Sequence, residues 1–338
     1  MDKEKTRQAI DKVFRDMAGA MTAGMAYVGT KTGLFRAMAG KGPMSVQDVV
    51  EASHLHPRYV EEWLKGMAAA GYLDFSDSKF SLSDEMAYFV ASDGTDHFVG
   101  GMWAMVPPLM RVAPQVVEAF EKGGGVRFES FGPDCVEALD LINRGQYEER
   151  FAGYWLKSLP EVIARLQGGG RMLDFGCGSG RVAMAIKKAF PAAEVVGYDV
   201  DAQSIARAKA LKLPITFTTD MPAGQFDLVT ICDCIHDLAA PVETLKQVHR
   251  LVKPDGTLFI IEPKAGDRLE DNRNPVGTMF YGFSVFHCMT QSLARGGPGL
   301  GTCMGPGQTE KLAREAGFRQ FRMLDIKSMT NLFYAANP

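Results

Sequence analysis

The spacing of apolar and polar residues divides the chain into two parts with different predicted structure. From Arg171 onward, short apolar runs alternate with segments whose apolar residues recur at helical spacing. This alternation predicts an α/β fold, a doubly wound and mostly parallel sheet with helices on both faces. The clearest strand is Phe226–Cys232, and the other predicted strands end at or beside Asp174, Asp199, Thr218 and Glu262.

The first part of the chain is predicted to be mainly helical and to contain one hairpin. Ser45 is placed to cap a helix, and Pro57 precedes another helix that Gly71 ends. Three helices followed by a hairpin is the order of a winged helix-turn-helix. The predicted helices cover residues 1–30, 33–39, 45–53 and 58–70, and the hairpin covers residues 72–82 with its turn at Asp77-Ser78.

Length and composition indicate a globular protein with more than one domain. The chain has 338 residues, of which 46% are hydrophobic and 23% are charged, enough to build large cores. We predict a winged-helix domain over residues 1–95 and a helical linker or substrate lid over residues 96–167. The domain that contains the sheet is predicted to cover residues 168–338.

Cysteine usage indicates a reducing compartment. The six cysteines show no disulfide framework, and the closest pair, Cys232 and Cys234, lacks the spacing of a metal site. No stretch has the length and composition of a membrane span, and no signal peptide is visible. We therefore predict a cytoplasmic protein with no metal and no membrane partner.

The charge of the winged helix argues against DNA binding. Residues 1–100 contain 11 lysines and arginines against 14 aspartates and glutamates, and the whole chain has a net charge of −3. The predicted recognition helix carries Glu61 and Glu62 beside Arg58 and Lys65, whereas a helix that enters the major groove is expected to be basic. We predict that this domain forms dimers and that the chain has no nucleic-acid partner.

The segment Met172–Arg181 predicts a small-ligand site. A buried strand ends in Asp174, alternate glycines permit a sharp turn, and the first N–H groups of the next helix are free to bind an anionic or zwitterionic group. The segment departs from the dinucleotide fingerprint G-x-G-x-x-G, because its third glycine comes one residue early and Arg181 takes the required place.

The spacing of Asp174, Gly176, Gly178 and Gly180 resembles the D/E-x-G-x-G-x-G signature of class I S-adenosylmethionine-dependent methyltransferases. Together with the N-terminal half, the chain resembles small-molecule O-methyltransferases whose winged helix builds a dimer. The resemblance implies S-adenosyl-L-methionine as cofactor, a small-molecule acceptor, a homodimer, and a Rossmann-like sheet of seven strands.

Several residues are candidates for cofactor binding. Asp199 ends the second strand, where a carboxylate meets ribose hydroxyls in nucleotide-binding βαβ units. The resemblance implies that Asp220 binds the adenine amine and that Met221 packs on the adenine ring. The candidate cofactor-binding residues are Asp174, Gly176, Cys177, Gly178, Gly180, Asp199, Val200, Asp220, Met221 and Asp233.

The segment after the fourth strand carries the candidate catalytic residues. Asp233–Leu238 resembles the O-methyltransferase segment in which a His-Asp pair opens a helix and the histidine deprotonates the acceptor hydroxyl. The resemblance implies that His236 is the base, next to Asp237, and that Glu262 orients it. The second acid that flanks this histidine in plant-type enzymes falls near Cys303 or Met304, where this chain has no carboxylate.

The residues that contact the acceptor are less well defined by the sequence. Methionines and aromatic residues can line a substrate pocket, although at helical spacing they are more often core residues. The helix before the glycine loop borders cofactor and substrate in the family that this chain resembles. The candidate substrate residues are Tyr147, Tyr154, Met102, Trp103, Tyr281 and Cys303.

Two alternative functions stay open from the sequence. The first is an S-methyltransferase that acts on a thiol or thioether, similar to enzymes that methylate a dimethylsulfoniopropionate precursor, because a thioether needs no base and the second acid is missing. The second is a transcription regulator that retains the methyltransferase fold as a ligand sensor. The acidic recognition helix argues against the regulator.

Overall fold

The structure is a computed structural model that describes all residues from Met1 to Pro338. Contacts within the chain divide it into two compact units. The N-terminal unit contains Met1–Pro108 and Glu137–Gly145, and the C-terminal unit contains Leu109–Val136 and Gln146–Pro338.

The N-terminal unit is a helical domain with one β-hairpin, and its order confirms the predicted winged-helix arrangement. Ser45 and Asp48 form a reciprocal capping box at the start of one helix. The hairpin turns through Asp77 and Ser78, which both have left-handed backbone conformations (φ 49° and 60°), as a two-residue hairpin turn requires. The elements are α1 (Lys3–Thr32), α2 (Leu34–Met38), α3 (Val46–Ser53), α4 (Pro57–Ala69), β1 (Asp74–Ser76), β2 (Lys79–Ser81), α5 (Asp84–Val90) and α6 (Gly100–Ala104).

The segment between the hairpin and the glycine loop is mainly helical, as the sequence predicted. Two 3-10 turns, Phe128–Phe131 and Trp155–Ser158, and one π-helical turn, Tyr147–Phe151, interrupt it. Its α-helices are α7 (Val106–Arg111), α8 (Ala113–Lys122), α9 (Pro133–Gln146) and α10 (Pro160–Gln167), of which α7 and α9 contain residues of both units.

The C-terminal unit is built on a seven-stranded sheet, which confirms the predicted fold class. The strands are β3 (Arg171–Phe175), β4 (Glu194–Tyr198), β5 (Thr216–Thr218), β6 (Phe226–Cys232), β7 (Val252–Pro263), β8 (Gln320–Met323) and β9 (Asn331–Asn337). Their order in the sheet is β5-β4-β3-β6-β7-β9-β8, and all pairs are parallel except those that involve β9. Apolar residues of both faces are buried under helices, which explains why the central strands are almost continuously apolar.

Helices connect the strands and cover the sheet. A short 3-10 turn, Ile235–Asp237, follows β6, and another covers Leu269–Asn272. A π-helical turn, Ser284–Cys288, joins α14 to α15 in one continuous helical segment. The helices of this part are α11 (Arg181–Ala189), α12 (Ala202–Ala210), α13 (Pro241–Leu251), α14 (Pro275–Phe283), α15 (Met289–Ala294) and α16 (Pro306–Glu315). No helix is both long and apolar enough to cross a membrane.

Candidate active site

The candidate residues meet at one edge of the sheet because the central strands run parallel. Asp174 is the penultimate residue of β3, Asp199 follows β4, Asp233 follows β6 and Glu262 lies near the end of β7. These strands are neighbours, so their carboxyl ends form a single edge, where open α/β sheets place their ligands. The sequence pattern had placed these acids at or beside the ends of predicted strands.

The glycine loop has the backbone conformation that its sequence predicted. Gly176, Gly178 and Gly180 have φ values of 74°, 52° and 82°, in the left-handed region that favours glycine. A Cβ on Gly180 would lie 2.7 Å from the ring of Phe217, whereas a Cβ on Gly178 would meet no atom within 4 Å. The loop is therefore tightly packed at its helical end and open at Gly178, where a ligand can approach the backbone.

Asp174 ties the loop to the sheet. One carboxylate oxygen accepts a hydrogen bond from Thr230 Oγ1 at 2.8 Å, and the other accepts one from the Ala183 backbone N–H at 3.2 Å. Burial raises the pKa of Asp174 to about 7. Its hydrogen bonds connect β3, β6 and α11, so Asp174 holds together the elements on either side of the glycine loop. Thr230 was not among the residues predicted from sequence.

Asp199 lies against the same loop. Its Oδ2 accepts the Gly178 N–H at 2.8 Å and its Oδ1 accepts the Asp201 N–H at 2.8 Å. Burial raises the pKa of Asp199, and the same effect raises the pKa of the Cys177 thiol nearby. A carboxylate offers about four acceptor positions, so Asp199 keeps capacity to accept a ligand hydroxyl in addition to these backbone bonds.

The edge beside Asp199 also exposes apolar side chains. Val200 is 69% exposed and Met221 is 43% exposed, next to the exposed Asp220. Acidic acceptors beside two exposed apolar side chains suit a ribose and a purine ring. With the open glycine loop, these residues fit S-adenosylmethionine, the cofactor that the sequence implies.

Asp233 connects three elements at the centre of the edge. It has a left-handed backbone (φ 48°), which is uncommon for a residue other than glycine and clusters at functional sites. Its side chain accepts hydrogen bonds from the Tyr147 hydroxyl at 2.6 Å and from Asn331 Nδ2 at 3.0 Å. Burial raises the pKa of Asp233 to about 6. Asn331 lies on β9 and was not among the site residues predicted from sequence.

His236 and Glu262 form a buried pair. Nδ1 of His236 lies 2.5 Å from Oε2 of Glu262, and Oε1 of Glu262 accepts the Ile235 N–H at 2.8 Å. Burial alone lowers the pKa of the His236 imidazole, but Glu262 and Cys288 outweigh it and raise this pKa well above its ordinary value. The Glu262 carboxylate fixes the ring through Nδ1, so Nε2 is the nitrogen that remains for chemistry.

Asp237 lies next to this pair in the short turn after β6. Burial raises the pKa of Asp237 to about 7. At neutral pH its carboxyl group is therefore often protonated and is less suited than Glu262 to stabilise a positive imidazole.

A second group of ionisable side chains lies beside His236, and the sequence did not reveal it. Cys288 Sγ lies 3.5 Å from His287 Nδ1, and His287 Nε2 lies 3.5 Å from Cys135 Sγ. Cys288 is also one of the groups that raise the pKa of the His236 imidazole. The adjacent His287-Cys288 pair was the available signal, but nothing in the sequence showed that this helical segment faces His236.

The predicted substrate residues are dispersed. Tyr147 is buried, its ring packs against Phe151 and Trp155, and its hydroxyl binds Asp233. Trp103 packs against aromatic residues of the N-terminal unit, where Met102 also lies. Tyr154 and Tyr281 are exposed on the C-terminal unit, and burial raises the pKa of the half-buried Cys303 thiol to about 11.

Comparison with known proteins identifies the family. A family model described as "Methyltransferase domain" matches residues 147–319, and one described as "Rv2258c-like winged HTH domain" matches residues 20–92. The ubiquinone biosynthesis O-methyltransferase of Pseudomonas aeruginosa is 29% identical over 182 residues, which cover 50% of this chain and 70% of that protein.

Solved structures share the fold over almost the whole chain. Human N-acetylserotonin methyltransferase, solved with S-adenosylmethionine, superposes with a TM-score of 0.69 at 20% identity and covers 98% of both chains. The mitomycin 7-O-methyltransferase MmcR superposes with a TM-score of 0.68 at 16% identity and covers 99% of this chain and 100% of its own. The chain belongs to the methyltransferase domain family and is an S-adenosylmethionine-dependent methyltransferase.

Proposed function

We propose that the chain methylates a hydroxyl group of a small molecule and that His236 is the general base. The observation that carries the proposal is the buried hydrogen bond between His236 Nδ1 and Glu262 Oε2. A base held by a carboxylate at the carboxyl edge of the sheet is the arrangement that proton removal requires. The relatives named O-methyltransferases support an oxygen acceptor.

The residues of the site divide the work of such a reaction. S-adenosylmethionine, when bound, supplies a methyl group activated by a positively charged sulfur. His236 Nε2 removes the hydroxyl proton of the acceptor, and the negative charge of Glu262 stabilises the imidazolium that forms. The chain's remaining contribution is to position the two reactants, which can supply a large part of the rate enhancement.

The cofactor-binding roles belong to the same proposal. Asp199 is placed to accept hydrogen bonds from ribose hydroxyls, and Asp220 and Met221 to bind the purine. Gly178 offers its open backbone to the charged end of the ligand. Asp174 and Asp233 support these residues through their hydrogen bonds with Thr230, Ala183, Tyr147 and Asn331.

The pH dependence of turnover tests the proposed base. Since a base acts only when neutral, and the pKa of His236 is raised by Glu262 and Cys288, turnover should rise with pH above the ordinary histidine value of about 6.5. Glu262→Gln removes one of these negative charges, so the rise should move to lower pH while maximal turnover falls. The measurement is initial rate against pH, with an acceptor found by screening small molecules with labelled cofactor.

Glu243→Gln is the control for that experiment. Glu243 is an exposed glutamate of the same unit, paired with Lys246, and its loss should leave the pH profile unchanged. A Glu262→Gln profile that rises at the same pH as the wild type would show that this carboxylate does not act on the base.

We also propose that the chain forms a homodimer through α1. This helix has 30 residues, about 45 Å in length. Its apolar side chains Ile10, Phe14, Met17 and Met21 are between 46% and 67% exposed, and neighbouring exposed apolar side chains of this kind mark protein–protein interfaces. These four exposed side chains form an apolar strip along α1. An apolar groove of about 610 Å³, lined by Met21, Met25, Val28, Tyr59 and Trp63, continues this strip onto α4.

A second copy of the chain is the occupant that suits both surfaces. The strip and the groove share α1 and are both apolar, so a two-fold axis can pair each strip with its copy. The basic side chains of α4 do not favour DNA binding, because Arg58 pairs with Glu62 and Lys65 with Glu61, each at 2.5 Å.

Six free cysteines support the cytoplasmic location predicted from sequence.

Charges placed on the strip should abolish the dimer. In Phe14→Glu combined with Met17→Glu, burial of two carboxylates at the interface is unfavourable, so we expect a monomer in analytical ultracentrifugation. Gln8→Glu adds a charge on the other side of α1 and should leave the dimer intact. A double variant that sediments like the wild type would rule out this interface.

A further inference from the structure

One buried hydroxyl close to the proposed base has no hydrogen-bond partner. Thr302 is 5% exposed, and its Oγ1 makes no hydrogen bond within the chain. Nearly all buried polar groups in folded proteins are paired, because an unpaired group gives up its bonds to water without replacement. Two other side chains share this property, but Thr30 lies in α1 and Trp155 packs among aromatic rings of the core. Only Thr302 follows a residue that contacts His236.

Backbone hydrogen bonds place Thr302 close to the base. The Gly301 N–H donates to the His236 carbonyl at 2.9 Å. The Met304 N–H donates to the Gly301 carbonyl at 3.1 Å, which closes a tight turn with Thr302 and Cys303 at its centre. Gly301 has a left-handed backbone (φ 74°), which glycine adopts without strain. The turn that contains Thr302 therefore begins at a direct bond to the backbone of His236.

The segment before this turn is also fixed to the residues that follow the base. Ser292 is fully buried. Its hydroxyl donates to the Leu238 carbonyl at 2.8 Å and accepts the Gly299 N–H at 3.2 Å. These bonds and the bond from Gly301 hold the same segment at two points, so Thr302 keeps its place near His236 before any acceptor binds.

We propose that Thr302 is a specificity-determining residue whose hydroxyl binds an oxygen of the methyl acceptor. The inference rests on the proposed function, in which the acceptor approaches His236 Nε2. A threonine hydroxyl both donates and accepts hydrogen bonds, so a hydroxyl or carbonyl oxygen of the acceptor supplies the missing partner. An analogue that lacks this oxygen leaves Thr302 unpaired and is bound less tightly.

Folding alone does not favour a threonine at this position. Valine has nearly the same shape and no hydroxyl, so it would fill the position without an unpaired polar group. Functional sites often contain groups that lower stability and serve a ligand. Thr309 is a useful contrast, because it is equally buried but its hydroxyl donates to the Gly305 carbonyl at 2.8 Å. The fold accounts for the hydroxyl of Thr309, and the bound acceptor accounts for that of Thr302.

Thermal melting of the protein without ligands tests whether the hydroxyl lacks a partner. Thr302→Val removes a buried polar group that makes no bond, so this variant should melt at a higher temperature than the wild type. Thr309→Val is the matched control: it removes a hydroxyl that is hydrogen-bonded in the fold, so it should melt at a lower temperature. A Thr302→Val variant that melts below the wild type would show that the fold already pairs this hydroxyl, which overturns the proposal.

Acceptor binding tests the assignment without methyl transfer. The acceptor found by screening with labelled cofactor is titrated in a calorimeter into protein saturated with S-adenosylhomocysteine, which has no methyl group to transfer. Thr302→Val should weaken acceptor binding by about 3- to 10-fold, the usual scale of one neutral hydrogen bond. Thr302→Ser retains a hydroxyl and should restore most of the affinity, whereas Thr309→Val should leave it unchanged. The affinity for S-adenosylhomocysteine should be the same in all these variants.

An acceptor affinity that Thr302→Val leaves unchanged would also overturn the proposal. The titration involves no proton removal, so its result does not depend on which residue is the base. If His236→Ala retains turnover, the proposed base is wrong, and the titration still decides whether Thr302 binds the acceptor.

Discussion

We expect His236→Ala to lower turnover by about 10²–10⁴-fold, the usual contribution of a general base, and to leave the affinity for S-adenosylmethionine close to that of the wild type. His236 follows β6, whereas the glycine loop and Asp199 follow β3 and β4, so the substitution removes the proposed base and leaves these proposed cofactor-binding residues in place. Steady-state kinetics with the identified acceptor and calorimetry with the cofactor measure the two quantities.

His249→Ala is the matched control for this loss. His249 lies in the same unit, and its ring packs against Phe318 with no acidic partner. Its removal should leave turnover within a few-fold of the wild type, since it affects only local packing. If His236→Ala also retains turnover within a few-fold, His236 is not the base and the function shifts to methylation of a thioether, which loses no proton.

Asp199→Ala should weaken cofactor binding by about 1–3 kcal/mol, the usual result of leaving buried polar groups unpaired, or about 5- to 150-fold in the dissociation constant. The alanine variant loses the acceptor for the Gly178 N–H and for the Asp201 N–H. In this variant the glycine loop is no longer held by Asp199, and the proposed hydrogen-bond partner of the ribose is missing. Calorimetry with S-adenosylmethionine measures the change.

Asp201→Ala separates the binding role from local stability. Asp201 caps α12 by accepting the Ser204 N–H at 2.8 Å, and removing a cap typically costs about 1 kcal/mol of stability. This variant should have a lower melting temperature and near-normal affinity. Equal affinity losses in Asp199→Ala and Asp201→Ala would show that Asp199 acts only on the fold.

Local sequence signals were sufficient to predict the edge of the sheet and the glycine loop. The spacing of the glycines predicted where left-handed backbone conformations are needed, and the apolar runs predicted where β3, β4 and β6 end. The close approach of His236 to Glu262 followed from the resemblance, because β6 and β7 are neighbours in this fold. The first helix, the capping by Ser45 and the turn at Asp77-Ser78 were predicted for the same local reasons.

The side-chain partners that join distant segments were not predictable. Cys135 meets His287 across 152 positions of the chain, and Asn331 meets Asp233 across 98. The turns Tyr147–Phe151 and Ser284–Cys288 depend on a π-helical backbone, which no local propensity indicates. Sequence reasoning assigned Tyr147 to the substrate, whereas the structure adds a bond to Asp233 that depends on both the π turn and β6.

The position of the transferred methyl group tests the central claim most directly. The acceptor is incubated with S-adenosylmethionine carrying a carbon-13 methyl group, and the product is examined by nuclear magnetic resonance and mass spectrometry at several values across about pH 6–9. We predict a methyl group on oxygen, formed faster as the pH rises through this range. A methyl group on sulfur, formed at a rate independent of pH and unaffected by His236→Ala, would contradict the account.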